Sequence, residues 1–316
     1  MPAEPAHAAA LAAGRGSARR PTSPGRLLLR RFLRHHLAVA SGGVLVVLLL
    51  ASLAAPLVAR LLEVDPDAVD LLNRFAPADA RHPLGTDELG RDVLVRLLEG
   101  GRVSLFVGLT GAVAAAVIGT AAGLLAGYLG GRTDAVLMRL VDAVIALPLL
   151  PLLIVLAAVD LGKLGFPEAL IRDEDASLWR ILVIVTLVGW TGTARLVRGA
   201  TLSLREQDFV RAAEALGAGP LTIMRRHILP NVASPVIVAT TLSIGNVILV
   251  ESVLSFLGLG IQPPLPSWGN MLTGAQELIW QAPGLAVWPG CLIFLTVISF
   301  NFLGDGLQDA MDPRAD

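Results

Sequence analysis

The chain is poor in charge and in reactive groups. Only 16% of its 316 residues are Asp, Glu, Lys or Arg, against roughly 25% in a typical soluble domain. One cysteine, Cys291, leaves no partner for an intrachain disulfide. No G-x-x-x-x-G-K-[ST] sequence occurs, so this chain has no P-loop with which to hold ATP. An H-E-x-x-H sequence and Cys/His clusters at zinc spacing are also missing. The five histidines (7, 35, 36, 82 and 227) fall in the tail, in loops or at the ends of apolar runs. With no nucleophile–base constellation either, no catalytic residue and no metal ligand is expected. The longest stretch between apolar runs, residues 60–102, is too short for a soluble domain of its own.

What the chain has instead is long apolar runs. Hydrophobic residues make up 54% of it, and its mean hydropathy is +0.68. Leu37–Ala59, Val103–Gly131, Ile228–Val250 and Leu278–Gly304 carry no charged residue. Each exceeds the roughly 20 residues that a helix needs to cross a bilayer. Val136–Val159 is apolar apart from Arg139 and Asp142, and Ile181–Ala194 is bounded by Arg180 and Arg195, which can snorkel and so admit a span over about 176–199. The expectation is an all-α membrane bundle of six spans in a lipid bilayer.

Arginine placement orients it. Seven arginines (15, 19, 20, 26, 30, 31, 34) precede the first run, and the loop 260–284 has no Lys or Arg. The positive-inside rule then places both termini and the loop 200–227 in the cytoplasm. The loop 60–102 holds six arginines and falls outside, but it also holds nine acids, and long loops cross largely regardless of charge. The first run is too long for a signal-peptide core and reads as an uncleaved anchor. The expected organisation is a disordered cytoplasmic tail (1–25), an anchor helix with an extracytoplasmic loop (26–100), and a five-helix core (101–312) with a cytoplasmic loop at 200–228.

Inside the spans, the departures from apolarity are the informative residues. Gly119, Gly123 and Gly127 recur every four residues, a spacing that lets helix backbones approach closely, within the chain or against another subunit. Asp142 is expected either to ion-pair with Arg195 and Arg198 or to line a path. Glu251, near the outer end of the fifth span, reads as a gate or partner contact, or as an acid snorkelling to the interface. Pro148 and Pro151 invite a kink in the third span. Trp190 and Trp268 are candidates for interfacial anchors, and residues 82–105 for an amphipathic helix with local pairs among Asp87, Arg91 and Asp92.

Residues 205–230 read REQDFVRAAEALGAGPLTIMRRHILP. An Ala-rich helix ended by Gly217, Gly219 and Pro220 is expected, then a short helix over Leu221–His227 that stops before Leu229-Pro230. On pattern alone this is either a knob for a soluble partner or an interfacial helix.

The segment resembles the signature loop of permeases of binding-protein-dependent ABC importers: Glu-Ala-Ala, three residues, Gly, and Leu-Pro further on. Here those positions are Arg211-Ala212-Ala213, Gly217 and Leu229-Pro230, with Arg211 where the pattern has Glu and Glu214 three residues later. More stretches resemble the C-type subunit of the dipeptide, oligopeptide and nickel importers. They are His82–Asp87 (HPLGTD), Gly90-Arg91-Asp92, Gly101–Leu105, Trp190 with Ala194-Arg195 and Val197-Arg198, Glu251–Gly260 (ESVLSFLGLG), Trp268-Gly269, Gly304–Leu307 and Asp312-Pro313-Arg314. The resemblance covers residues 27–314. A loop at 160–180 with Arg172, Asp173, Glu174 and Asp175 looks extended beside that family.

The resemblance implies a type I importer permease that pairs with a second homologous permease subunit, two ABC ATPase subunits and an extracytoplasmic solute-binding protein in a bacterial inner membrane. It implies that residues 206–220 couple to the ATPases and that ATP and Mg bind those partners, with no cofactor on this chain. Nucleic acid is not an expected partner. Peptides are the implied solute, with nickel, glutathione or oligosaccharides as alternatives. An ATP-independent carrier or a membrane enzyme is the other reading; no clear inverted repeat supports the first, and the missing catalytic cluster argues against the second.

Overall fold

The computed structural model describes residues 24–159 and 175–311. Residues 1–23 of the expected tail, most of the 160–180 loop and the Asp312-Pro313-Arg314 stretch lie outside the described residues. Among the described residues there is no β-strand, only an isolated bridge between Thr86 and Asp92. The helices are α1 (Pro24–Phe32), α2 (His36–Leu53), α3 (Ala55–Leu62), α4 (Val93–Leu129), α5 (Gly131–Ala146), α6 (Leu149–Ala158), α7 (Ala176–Arg205), α8 (Asp208–Ala215), α9 (Pro220–Ile223), α10 (Leu229–Phe256), α11 (Ala275–Leu278) and α12 (Gly284–Met311).

Helices α2, α4, α7, the continuous α9–α10 stretch and α12 are each long and apolar enough to cross a membrane, and α5 with α6 adds a sixth when the bent pair is counted as one broken span. Helix α4 is the axis of the bundle. It packs along α7 and against α10 and α2, while α12 lies on α10 and α2. Both described ends of the chain fall at the end of the bundle that carries α8. There His35 and Asp309 approach to 3.5 Å. The opposite end carries the loops 63–92 and 257–283.

Three expectations about the spans are corrected. The first span is not continuous over 37–59: α2 ends at Leu53, and α3 restarts with Pro56 in its first turn, where a missing N–H costs nothing. The third span is not merely kinked but broken, with α5 and α6 meeting at 93°. Leu147 is extended (φ −82°, ψ 139°) because it precedes Pro148, which caps α6. Pro151 falls in the first turn of α6, where its lost donor is harmless. The helix expected at 221–227 does not stop before Leu229. Residues Met224–Ile228 form a π-turn that runs directly into α10. Pro230 has no N–H to return to Arg226, and the ladder widens there, with Leu229 N–H reaching Met224 O.

The core forms in layers along the bundle. Midway, Val107 and Ala112 of α4, Leu153 of α6, Ile181 and Ile184 of α7, and Ile244 and Ile248 of α10 pack together. At the α8 end, Val210 and Ala213 join Val197, Ile223, Ile228 and Val232. At the loop end, Trp268 is buried among Val93, Leu97, Leu285 and Ile293. Its indole N–H donates to Leu97 O at 2.9 Å. Trp190 is buried against Ala115, Val141 and Ala194. Neither tryptophan is an interfacial anchor; Trp179, Trp280 and Trp288 are the exposed ones.

Candidate functional site

The Ala-rich helix of the sequence forms as α8, with Asp208 in its first turn complementing the helix dipole. Its end is a Schellman turn: Gly217 N–H donates to Glu214 O, Ala218 N–H to Ala213 O, and Gly217 sits at φ +82°. Val210 and Ala213 face inward and tie α8 to α9 and the π-turn. Phe209, Leu216 and Leu221 face outward, with Leu216 89% exposed and Leu221 74%. All three are apolar side chains exposed on an otherwise charged knob. Of the motif residues, Ala213 is therefore spent on internal packing, while Ala212 and Arg211 are exposed.

Arg211 pairs with Glu206 at 2.7 Å. Its guanidinium holds the Glu206 carboxyl below the usual carboxylate range. Glu214 accepts from the Tyr128 hydroxyl at 2.9 Å, a contact between α8 and the end of α4 that the sequence did not suggest. Arg205 donates to the Gly127 and Tyr128 carbonyls at 3.3 Å, closing the end of α4 left open by Gly130. The loop is thus held against the bundle by hydrogen bonds from both of its flanks. Leu229 and Pro230 begin α10 and stand at the π-turn rather than on the knob.

Gly119, Gly123 and Gly127 lie on the α4–α7 contact. A Cβ at Gly119 would stand 2.5 Å from Trp190 O, at Gly123 2.6 Å from Ala194 O, and at Gly127 2.7 Å from Thr201 Cβ. The ridge serves a helix pair within the chain.

Two ion pairs join α5 to α7. Asp142 meets Arg195 at 2.5 Å. Arg198 does not share that acid; it binds Asp134 in a two-pronged arrangement at 2.5 and 2.6 Å. Asp134 sits in the first turn of α5, two turns before Asp142 and just ahead of the apolar run 136–159, where an acid carries no sequence signal. The Asp142–Arg195 pair is half exposed, at 56% and 49%, and Asp134–Arg198 is more enclosed.

Glu251 is 0% exposed. It neither snorkels nor faces an interface, because hydroxyls of Ser104, Ser252, Ser255 and Ser267 surround its carboxyl. Ser104 Oγ also accepts the Trp268 N–H, and Ser255 Oγ the Ile261 N–H. The loop 261–269 is thereby fastened to α4 and α10. A Cβ on Gly269 would stand 2.5 Å from Ser252 Cα, and one on Gly100 3.2 Å from the Ser267 carbonyl carbon, so loop and helix backbones touch directly. The serines gave no sequence signal, since Ser104 and Ser267 lie 147 and 16 positions from Glu251.

Of the helix expected over 82–105, residues 93–105 form as the start of α4 and the Asp87–Arg91 pair is present, but residues 82–92 are a turn. Asp87 accepts from the backbone of Leu89 and Arg91 and from the Arg91 side chain. Asp92 caps α4 through Val95 N–H and meets His82 Nδ1 at 3.0 Å.

Residues 119–316, more than half of the chain, match the family of binding-protein-dependent transport system inner membrane components. Residues 23–78 match the N-terminal TM domain of oligopeptide transport permease C. The chain is 41% identical to the glutathione transport system permease protein GsiD of Pectobacterium atrosepticum, over 92% of each chain. It is 37% identical to the oligopeptide transport system permease protein OppC of Bacillus subtilis, covering 90% of this chain and 88% of that one. Identity to the dipeptide transport system permease protein DppC of Alkalihalophilus pseudofirmus is also 37%, over 92% and 90%.

Proposed function

The chain belongs to the binding-protein-dependent transport system inner membrane components, and we propose that it forms part of the transmembrane path of an ATP-driven importer for di- or oligopeptides. The observation that carries this reading is similarity over nine-tenths of the chain to permeases named for oligopeptides, dipeptides and glutathione, itself a tripeptide. The chain transports rather than catalyses. ATP and Mg belong to two ATPase partners, and a second permease completes the path.

In this reading the α8 end is cytoplasmic, with both termini beside it, and the membrane is the bacterial inner membrane. The exposed apolar face of Phe209, Leu216 and Leu221 is where an ATPase seats. Motion of α8 passes into the bundle because α8 packs on α9 and the π-turn, which continue into α10. Coupling requires that the docked ATPase favour one arrangement of the bundle over another. At the loop end, an open cleft of about 540 Å³ between Arg74, Glu88 and Glu277, beside the exposed Trp280, faces an approaching binding protein. The half-exposed Asp142–Arg195 pair faces a polar path, since charges facing lipid at that depth are costly.

The test is affinity purification of the tagged chain from gently solubilised membranes. Recovery of a second permease and P-loop ATPases whose hydrolysis rises with a peptide-loaded binding protein is the expected result. A solitary chain that moves solute without nucleotide would overturn the reading.

A further inference from the structure

The break between α5 and α6 opens a cavity of about 340 Å³, near the lower end of the usual range for small-ligand pockets. Four parts of the bundle line it: Ala115 from α4, Leu147 at the break, Gly189 and Thr191 from α7, and Ser243 and Asn246 from α10. The remaining lining is entirely Val, Leu and Ile. Polar atoms are few and differ in state. The Thr191 and Ser243 hydroxyls each donate to a carbonyl of their own helix, which leaves oxygen lone pairs open to the cavity. Asn246 stands past the middle of the 28-residue α10 and is exposed, and its side chain makes no hydrogen bond to another described residue. A primary amide facing hydrocarbon at that depth is costly, so the face that carries it is wet or is matched by polar groups.

The ion pair lies directly beyond this cavity, on the α8 side. Asp142 is two residues before Val144 on α5, about 3 Å along the axis, and Arg195 is four residues after Thr191 on α7, about 6 Å. The two helices run in opposite directions, and both displacements point toward the α8 end. An apolar recess with an amide and two hydroxyls, and an ion pair displaced from it toward the α8 end, has the polarity pattern of a short peptide: apolar side chain, main-chain amides, charged terminus.

We propose that the cavity at the α5–α6 break is a holding station in the path that accepts an apolar peptide side chain, with Asn246 meeting the main-chain amides and the Asp142–Arg195 pair meeting a charged terminus. The inference rests on the peptide-import reading above and names a site within it. It makes this permease a second filter on solute behind the binding protein.

The experiment uses the complete transporter with its binding protein, and compares uptake of Gly-Gly and Ala-Ala with that of Leu-Leu and Phe-Phe. Gly189→Leu puts a branched side chain at the cavity wall. It should lower uptake of the bulky pair about ten-fold relative to the small pair, the size of effect that pocket fit supplies. An equal loss for all four peptides, or no loss, would overturn the inference alone. A wild-type complex that takes up none of the four overturns the peptide reading and this inference with it.

Should Gly189→Leu fail to insert, Asn246→Cys in a Cys291→Ser background decides, because Cys291 is the chain's only cysteine. Labelling by a water-soluble thiosulfonate, slowed at least about five-fold by saturating Leu-Leu and by less with Gly-Gly, supports the station. A thiol at 246 that never reacts places the cavity against lipid or the second permease, and overturns it.

Discussion

At the scale of single residues, the glycines of α4 separate two kinds of small-residue position. Gly123 leaves 2.6 Å between a virtual Cβ and Ala194 O, whereas Gly192 of α7 would meet nothing within 4 Å. Gly123→Val should therefore destabilise the detergent-solubilised chain by about 1–3 kcal/mol through overpacking, and Gly192→Ala should lie within about 0.5 kcal/mol of wild type. Thermal unfolding of both variants checks this; equal Tm values would refute the close α4–α7 approach. Glu251 makes a second case. Leucine there would leave several buried hydroxyls without their acceptor, at about 1–3 kcal/mol for each unsatisfied group, whereas glutamine keeps one oxygen for them. Hydrogen exchange of residues 261–273 should accelerate strongly in Glu251→Leu and only slightly in Glu251→Gln. No change in either variant would mean that the loop is held by Trp268 alone.

At the scale of elements, the break between α5 and α6 rests on one residue pair. Pro148 forces Leu147 out of the helical region; alanine removes that constraint and restores a donor. In Pro148→Ala, the distance between spin labels at 139 and 155 should lengthen toward the roughly 24 Å of a straight helix, and uptake should fall with loss of the cavity. A distance unchanged from wild type would show that packing against α7 and α10, not the proline, holds the bend. Two elements depart from what their sequence predicts for the same physical reason. Proline marks a fault in a helix but does not set its angle, so 93° at Pro148 and a π-turn at Pro230 carry the same local signal.

For the whole molecule, the useful distinction is between residues that hold α8 to the bundle and residues that face outward. Ala213 belongs to the first group and Leu216 to the second. Leu216→Glu should leave stability within about 0.5 kcal/mol while reducing recovery of the ATPase partners and peptide uptake together. Ala213→Glu should instead destabilise the permease itself, by burying a charge without a partner. Co-purification and thermal unfolding, measured on the same preparations, separate the two; full ATPase recovery with Leu216→Glu would move the docking surface elsewhere.

The linear chain by itself determined the class of the molecule. Charge-free runs longer than a bilayer's thickness leave no other stable fold than a helical membrane bundle, and the 205–230 motif with its flanking signatures pointed to the permease family later matched over residues 119–316. It also marked Asp142, Arg195 and Glu251, because charge in an apolar run is rare enough to stand out. What those residues do was decided only in three dimensions. The choice of Asp134 over Asp142 as the partner of Arg198, the four serines around Glu251, the burial of Trp190 and Trp268, and the gathering of Asn246, Gly189 and Leu147 around one cavity all join residues far apart in the chain. Hydropathy and spacing report the solvent that a segment prefers. Which helix face meets which is set by how side chains of several helices fill one another's gaps, and that information is held by no segment alone.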